Sequence, residues 1–279
     1  MKSVVVTGVS TGIGWGVAKV LIGQGVRVFG SVRKAADAER LAKEFGPNFV
    51  PLVFDVTDER AVAQGAEQVR QALGGEPLFG LVNNAGIAVA GPLLKLPIAD
   101  FRQQMEVNLT GVVIVSQAFA PLLSVGADGR GQPGRIVNIS SVGGRSSTPF
   151  MAPYNASKFA LEGLSGALRR ELLLFGVDVI VVAPGAVKTA IWGKAQEVDI
   201  SPYKDTPYYA PLEKVRAFMN GAGGLPPETL GKVVAKALTT AKPKTRYTVA
   251  PNPVQHFILS HMPDRMADRA IGKRLGLLP

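Results

Sequence analysis

Tyr154, Asn155, Ala156, Ser157 and Lys158 follow one another just past the middle of the chain. On a helix a spacing of four puts the Tyr154 and Lys158 side chains on one face, one turn apart. A free phenol titrates near ~10 and is a poor base at neutral pH. An ammonium ~4 Å away interacts with a phenolate by roughly 4 kcal/mol at an effective dielectric near 20, before desolvation is subtracted. At ~1.4 kcal/mol per unit, that would lower the phenol by up to about three units. Tyr154 could then exchange a proton with a substrate oxygen as a general acid/base. Upstream, an apolar run ends in Ile139-Ser140-Ser141. Active sites of open parallel sheets lie at the carboxyl ends of strands, so Ser141 would sit near the head of the Tyr154 helix and hold the same oxygen. Taken singly, these are a surface Tyr/Lys pair and a serine capping a turn.

A second constellation stands at the start of the chain. Ser3–Thr7 reads as a strand that leads into Gly8, Ser10, Thr11, Gly12, Ile13 and Gly14, and a helix follows. Glycine permits the tight turn and lets backbone amides approach a pyrophosphate, which the helix N-terminus then favours electrostatically. The spacing departs from the usual G-x-G-x-x-G, and a plain tight turn would look the same. The second strand discriminates between cofactors. An acid at its end would bind a ribose 2′-hydroxyl, whereas a cation accommodates a 2′-phosphate. Here the strand closes on Arg33 and Lys34 with no acid, so NADP(H) is favoured over NAD(H).

These residues need a frame that brings them together. Short β-branched runs alternate with helical periodicity: strands at Ser3–Thr7, Val26–Val32, Phe49–Asp55, Leu78–Asn83, Arg135–Ser140 and Val177–Ala183. The intervening helices fall at Gly12–Gln24, Ala35–Phe45, Glu59–Leu73, Ile98–Ser124 and Tyr154–Phe175. Several strands are apolar on both faces, as a buried parallel sheet requires. The expected fold is α/β, a doubly wound, mostly parallel Rossmann-type sheet of about seven strands in one domain over residues 1–279. After Pro184 the pattern changes. Ala186–Pro227 reads as an irregular substrate flap carrying Trp192, Tyr203, Tyr208, Tyr209 and Phe218. Pro227–Ala241 is then a helix and Arg246–Ala250 a last strand.

Composition narrows the remaining classes. An apolar fraction of 47% can bury a sizeable core, and the absence of cysteine removes disulfides, thiolate metal sites and cysteine nucleophiles. It also fits a cytoplasmic enzyme. The net charge of +10 could suggest nucleic acid, but the cations are scattered, densest only in the tail Arg265–Arg274, so no nucleic-acid partner is expected. No stretch approaches ~18 uninterrupted apolar residues, and Leu109–Val125, the nearest, reads as a buried helix rather than a membrane span. His256 and His261 have neither metal-pair nor Ser–His spacing, so no metal is expected.

With these pieces in order, the chain resembles the short-chain dehydrogenase/reductase family over about Lys2–Thr189. The resemblance rests on the Thr7–Gly14 turn, Asp55-Val56, Asn83-Asn84-Ala85-Gly86, Asn108, Ser141, Tyr154-x-x-x-Lys158, Pro184-Gly185 and Thr189. It implies that Tyr154 is the general acid/base, that Ser141 orients the substrate, and that Lys158 binds the nicotinamide ribose. Asn108 would hold a water in a relay toward Lys158. Asp55 and Val56 would contact adenine, Asn84 the adenosine side, and Val187 and Thr189 the carboxamide and phosphate region, with Arg33 selecting NADP. It further implies a homodimer or homotetramer built on the two long helices, and an apolar alcohol or carbonyl substrate of the kind handled by the retinol and hydroxysteroid branch. Two other functions compete with hydride transfer. A non-catalytic dinucleotide-binding redox sensor or scaffold has no need of Asn108, Ser141, Tyr154 and Lys158 together. An epimerase or dehydratase would carry a larger C-terminal substrate domain.

Overall fold

A computed structural model describes residues 1–123, 132–188, 199–221, 224–252 and 262–278. It contains one sheet of seven strands, all parallel, in the order β3-β2-β1-β4-β5-β6-β7. The strands are β1 (Ser3–Val6), β2 (Arg27–Val32), β3 (Phe49–Val53), β4 (Gly80–Asn83), β5 (Arg135–Ile139), β6 (Asp178–Pro184) and β7 (Arg246–Val249). Alternate residues feed opposite cores, because successive side chains of a strand point to opposite faces. Val4 and Val6 join the cluster under α1 (Gly12–Gly23), α2 (Ala35–Phe45) and α8 (Pro227–Thr239), whereas Val5 joins Val62, Val69, Val115 and Phe119 on the other face. Those last four come from α3 (Glu59–Leu73) and α5 (Gly111–Phe119). Strand order reverses between β1 and β4, which opens a crevice at their carboxyl ends.

Two close approaches fix this frame. A Cβ on Gly16 of α1 would stand 2.5 Å from the Pro227 carbonyl carbon, and one on Gly231 of α8 would stand 2.4 Å from Gly16 O. The two helices therefore touch backbone to backbone, and only glycine fits there.

The strands and first three helices fall within two residues of their expected places. Three segments differ. The expected single helix Ile98–Ser124 is α4 (Ile98–Met105), a π-helical turn at Glu106–Thr110, then α5 and a 3-10 turn at Ala120–Leu122, with Ser124 outside the described residues. Ile98–Leu122 is long and apolar enough by composition to be a candidate membrane span, the only one among the described residues. It is buried on one face, through Val112, Ile114, Val115 and Phe119, rather than all round. The flap expected to be irregular contains α7 (Tyr209–Gly221) and a 3-10 turn at Ser201–Tyr203, while residues 189–198 and 222–223, Trp192 among them, lie outside the described residues. The basic tail is α9 (Asp264–Leu275), which ends on Gly276 at φ 71°, the left-handed position that glycine takes most cheaply. The helix expected at Tyr154 is α6 (Ala152–Glu171), followed by a 3-10 turn through Phe175.

Candidate active site

The glycine turn after β1 is shaped by contacts that leave no room for side chains. Gly8 (φ 69°) and Gly12 (φ 62°) are both left-handed. A Cβ on Gly8 would lie 2.9 Å from Ala85 Cα, and one on Gly14 would lie 2.2 Å from Gly8 O and 2.4 Å from Asn84 Nδ2. Thr11 makes no side-chain cap at the start of α1, and the first turn carries no acid. The amides there are thus left to an anion, which the helix end favours. From this turn a cleft of about 270 Å³ runs across the crevice. It is lined by Gly8, Ser10, Thr11, Gly12 and Ile13 at one side and by Arg33, Asp55 and Val56 at the ends of β2 and β3. Asn84, Tyr154, Lys158 and Val187 line it as well. The expected cofactor residues therefore converge, apart from Gly14, which works behind the turn, and Thr189, which lies outside the described residues.

Several of these side chains are held by the protein itself. Asn84 Nδ2 donates to Thr7 O (2.8 Å) and Gly8 O (3.1 Å), tying the end of β4 to the phosphate turn. Thr7 Oγ1 accepts from Asn84 N and Ala85 N. Asp55 Oδ1 accepts from Thr57 N and Oγ1, and Arg33 Nη1 lies 3.9 Å from Asp55 Oδ2. Arg40 donates to Ser10 O at 2.8 Å and so braces the turn from α2. It was not anticipated, because nothing local marks a cation whose partner is a carbonyl thirty residues upstream.

At the other end, β5 delivers Ser141, and a turn at Val142–Gly144 leads back toward α6. Ser141 Oγ accepts from Gly143 N at 3.0 Å and hydrogen-bonds the Tyr154 phenol. Lys158 is buried, donates from Nζ to Ile139 O at 2.9 Å, and lies 5.8 Å from the centroid of the Tyr154 ring. Desolvation holds its ammonium down to about 8, against a favourable field from Glu162. Burial pushes the Tyr154 phenol above its ordinary value, opposed by the Ser141 hydrogen bond. The expected lowering by Lys158 is therefore overturned in this arrangement. Removing the phenolate from water costs more than the Ser141 hydrogen bond returns.

Asn108 sits at the centre of the π turn, 1% exposed. Its Oδ1 accepts from Ile87 N, and its Nδ2 donates to Ile87 O and Ser157 Oγ. Both amide hydrogens are used, so the expected relay water would be held through an Asn108 oxygen. The side chain also ties the loop after β4 to α6. Gln104, fully buried and not anticipated, grips the same loop through Val89 N and Ile87 O. Phe150 takes a left-handed φ of 65° and meets Tyr208 edge-on at 6.2 Å. A half-buried aromatic pair thus stands four residues before Tyr154 in the chain.

A phenol, a serine hydroxyl and a buried ammonium gathered at strand ends beside a phosphate turn define an oxidoreductase site on a dinucleotide fold. A family profile for the short chain dehydrogenases matches residues 2–199. The chain belongs to that family and is an oxidoreductase. It is 40% identical over 279 residues to an NADPH-dependent 3-dehydrocapnine reductase of Ornithobacterium rhinotracheale, covering 99% of this chain and 98% of the relative. It is 34% identical to a 17-beta-hydroxysteroid dehydrogenase type 6 of Bos taurus, covering 96% and 86%. Among solved structures it is similar to a short-chain dehydrogenase from Streptomyces avermitilis, with TM-score 0.78 and 26% identity over 99% and 97% of the two chains.

Proposed function

We propose that this protein reduces an apolar ketone to a secondary alcohol with NADPH, Tyr154 supplying the proton. The observation that carries this reading is the placement of Tyr154: a phenol hydrogen-bonded to Ser141, with the Lys158 ammonium 5.8 Å from its ring, both lining the cleft that leads from the glycine turn. A phenol titrates well above neutral pH and can therefore give its proton to a carbonyl oxygen as the hydride arrives. The reduced dinucleotide, when bound, supplies the hydride. Ser141 holds the carbonyl oxygen and stabilises the charge that develops on it. Lys158 fixes the polarity around the phenol and grips the nicotinamide ribose. The uncapped turn at Gly12 and the tight packing of Gly14 fit a pyrophosphate, and Arg33 at the end of β2 fits a 2′-phosphate. The similarity to an NADPH-dependent reductase supports the same cofactor, and the aromatic pair of Phe150 and Tyr208 supports an apolar substrate. We place the enzyme in the cytoplasm as a homodimer or homotetramer. Phe159, 44% exposed on α6, supports a partner on that helix.

The test follows NADPH absorbance with a panel of ketones and aldehydes, including 3-dehydrocapnine, which the similar reductase is named for. Tyr154→Phe is expected to lower kcat by about 10²–10⁴-fold with NADPH affinity kept. Unchanged turnover in that variant would remove the assignment. NADPH binding with no turnover of any carbonyl would favour the redox-sensor reading.

A further inference from the structure

One half-buried carboxylate, Glu162, stands beside the site without a part in the proton transfer. Tyr154, Lys158 and Glu162 follow at intervals of four on α6 and so share one helix face. The Glu162 side chain is 13% exposed. Its two carboxylate oxygens accept from Arg246 Nε of β7 at 3.3 and 3.2 Å, and Arg145 Nε from the turn after Ser141 lies 3.7 Å away. That turn rests on the same helix face. A Cβ on Gly144 would stand 2.8 Å from Ser140 Oγ, 3.0 Å from Lys158 O and 3.1 Å from Glu162 Cγ. Glu162 therefore joins the three pieces of backbone that must stay in register: the Ser141 turn, the Tyr154–Lys158 helix and β7.

We propose that Glu162 is a positioning residue that keeps the buried Lys158 charged while clamping the Ser141 turn and β7 to the catalytic helix. This rests on the reductase reading for its consequence in turnover, though not for the Glu162–Lys158 coupling itself. Glu162 meets Lys158 one turn earlier on its own helix, Arg145 on the turn after β5 and Arg246 on β7, and Tyr154 lies one turn before Lys158. The side of β5 and the π turn offers neutral groups, the Ile139 carbonyl and Asn108. One carboxylate thus faces three cations. Arg246 is itself 15% exposed, with a buried Nη2 that has no hydrogen-bond partner among the described residues. Neutralising Glu162 would leave all three cations converging without a counter-ion. Arg246 and Arg145 cannot shed their protons, so Lys158 would give up its own.

The experiment compares wild type, Glu162→Gln, Glu162→Asp and the double variant Glu162→Gln/Arg246→Gln. The double variant leaves no unpaired buried arginine, so it keeps the question open if Glu162→Gln alone does not fold. Two readouts are taken on each. The first is urea unfolding without cofactor from pH 6 to 11, about the span in which a lysine can exchange its proton. In wild type the stabilising rise begins near about 8, where the folded Lys158 loses its proton. In Glu162→Gln it is expected to begin about one unit lower, and in the double variant, which loses one competing cation together with the carboxylate, it is expected to shift in the same direction by less. Glu162→Asp is expected to restore part of that shift. The difference should disappear when the variants are rebuilt on Lys158→Met. The second readout is the alkaline limb of kcat/KM with NADPH, expected to move down in step with the first. Uniform loss of stability or of kcat at every pH, with neither profile displaced, would make Glu162 a structural clamp only and overturn the proposal. A displaced unfolding profile in a protein that turns over no carbonyl would instead retain the coupling and sink the reductase reading.

Discussion

Lys158 should weaken the fold it serves, and Lys158→Met should reveal by how much. Its ammonium is depressed from 10.5 to about 8, chiefly by desolvation. At ~1.4 kcal/mol per unit, that is a penalty of roughly 3 kcal/mol on the folded state. For a base whose folded pKa lies below its unfolded one, the penalty is fully present below the folded value. It fades as pH rises from about 8 toward 10.5, because only the unfolded chain still binds the proton there. Methionine fills a similar volume without charge. It leaves the Ile139 carbonyl without its Nζ donor, at about 1 kcal/mol. Lys158→Met should therefore be more stable than wild type by about 2 kcal/mol at pH 7, and less stable by about 1 kcal/mol near pH 10.5. Urea unfolding at both pH values, without cofactor, measures the pair of differences. Every other titrating group cancels in the comparison, except those coupled to Lys158. Turnover should be lost in the same variant, as expected where activity requires a strained or desolvated group. A Lys158→Met protein equally destabilised at both pH values would refute the reasoning, because the lysine would then be held by packing with no electrostatic cost.

Three further outcomes follow from the geometry. Arg33→Ala should weaken NADPH binding roughly tenfold, about 1.4 kcal/mol, with little change for NADH; equal weakening of both in fluorescence titrations would overturn the NADP preference. Gly14→Ala drives a methyl group to 2.2 Å from Gly8 O, and thermal unfolding should register a loss of about 1–3 kcal/mol, together with loss of dinucleotide binding. Asn108→Ala leaves Ile87 N, Ile87 O and Ser157 Oγ short of a partner and should cost about 1–3 kcal/mol in urea unfolding, whereas a variant as stable as wild type would mean that the π turn holds itself.

What the sequence made legible was what repeats locally. Val4, Val5 and Val6 announce a strand buried on both faces, and Tyr154 and Lys158 announce a shared helix face, because period two and period 3.6 are properties of adjacent residues. Even the misread segments carried local signals. Pro211 falls in the first turn of α7, where a proline has no helical N–H to lose, so it is compatible with a helix in the segment expected to be irregular. In the basic tail, Asp264 in the first turn, Lys273 and Arg274 in the last, and Gly276 just beyond are the marks of a helix with complemented ends. The π turn left no such mark. A single added residue in the run from Ile98 to Leu122 rotates everything after it, and only the demand that Asn108 reach both Ile87 and Ser157 shows why it is there.

Long-range charge is the part a linear reading cannot supply. Glu162 and Arg246 are 84 residues apart and meet because β6 and β7 pair in parallel beside α6. The sign of the Tyr154 shift depends on the same thing. Spacing alone places an ammonium near the phenol and predicts a lowered pKa, whereas the outcome is decided by how much water the surrounding elements remove from each group. Desolvation acts on both partners, raising the phenol and depressing the ammonium, so the pair drifts toward its neutral form. That neutral form is the one from which a proton can be given to a carbonyl.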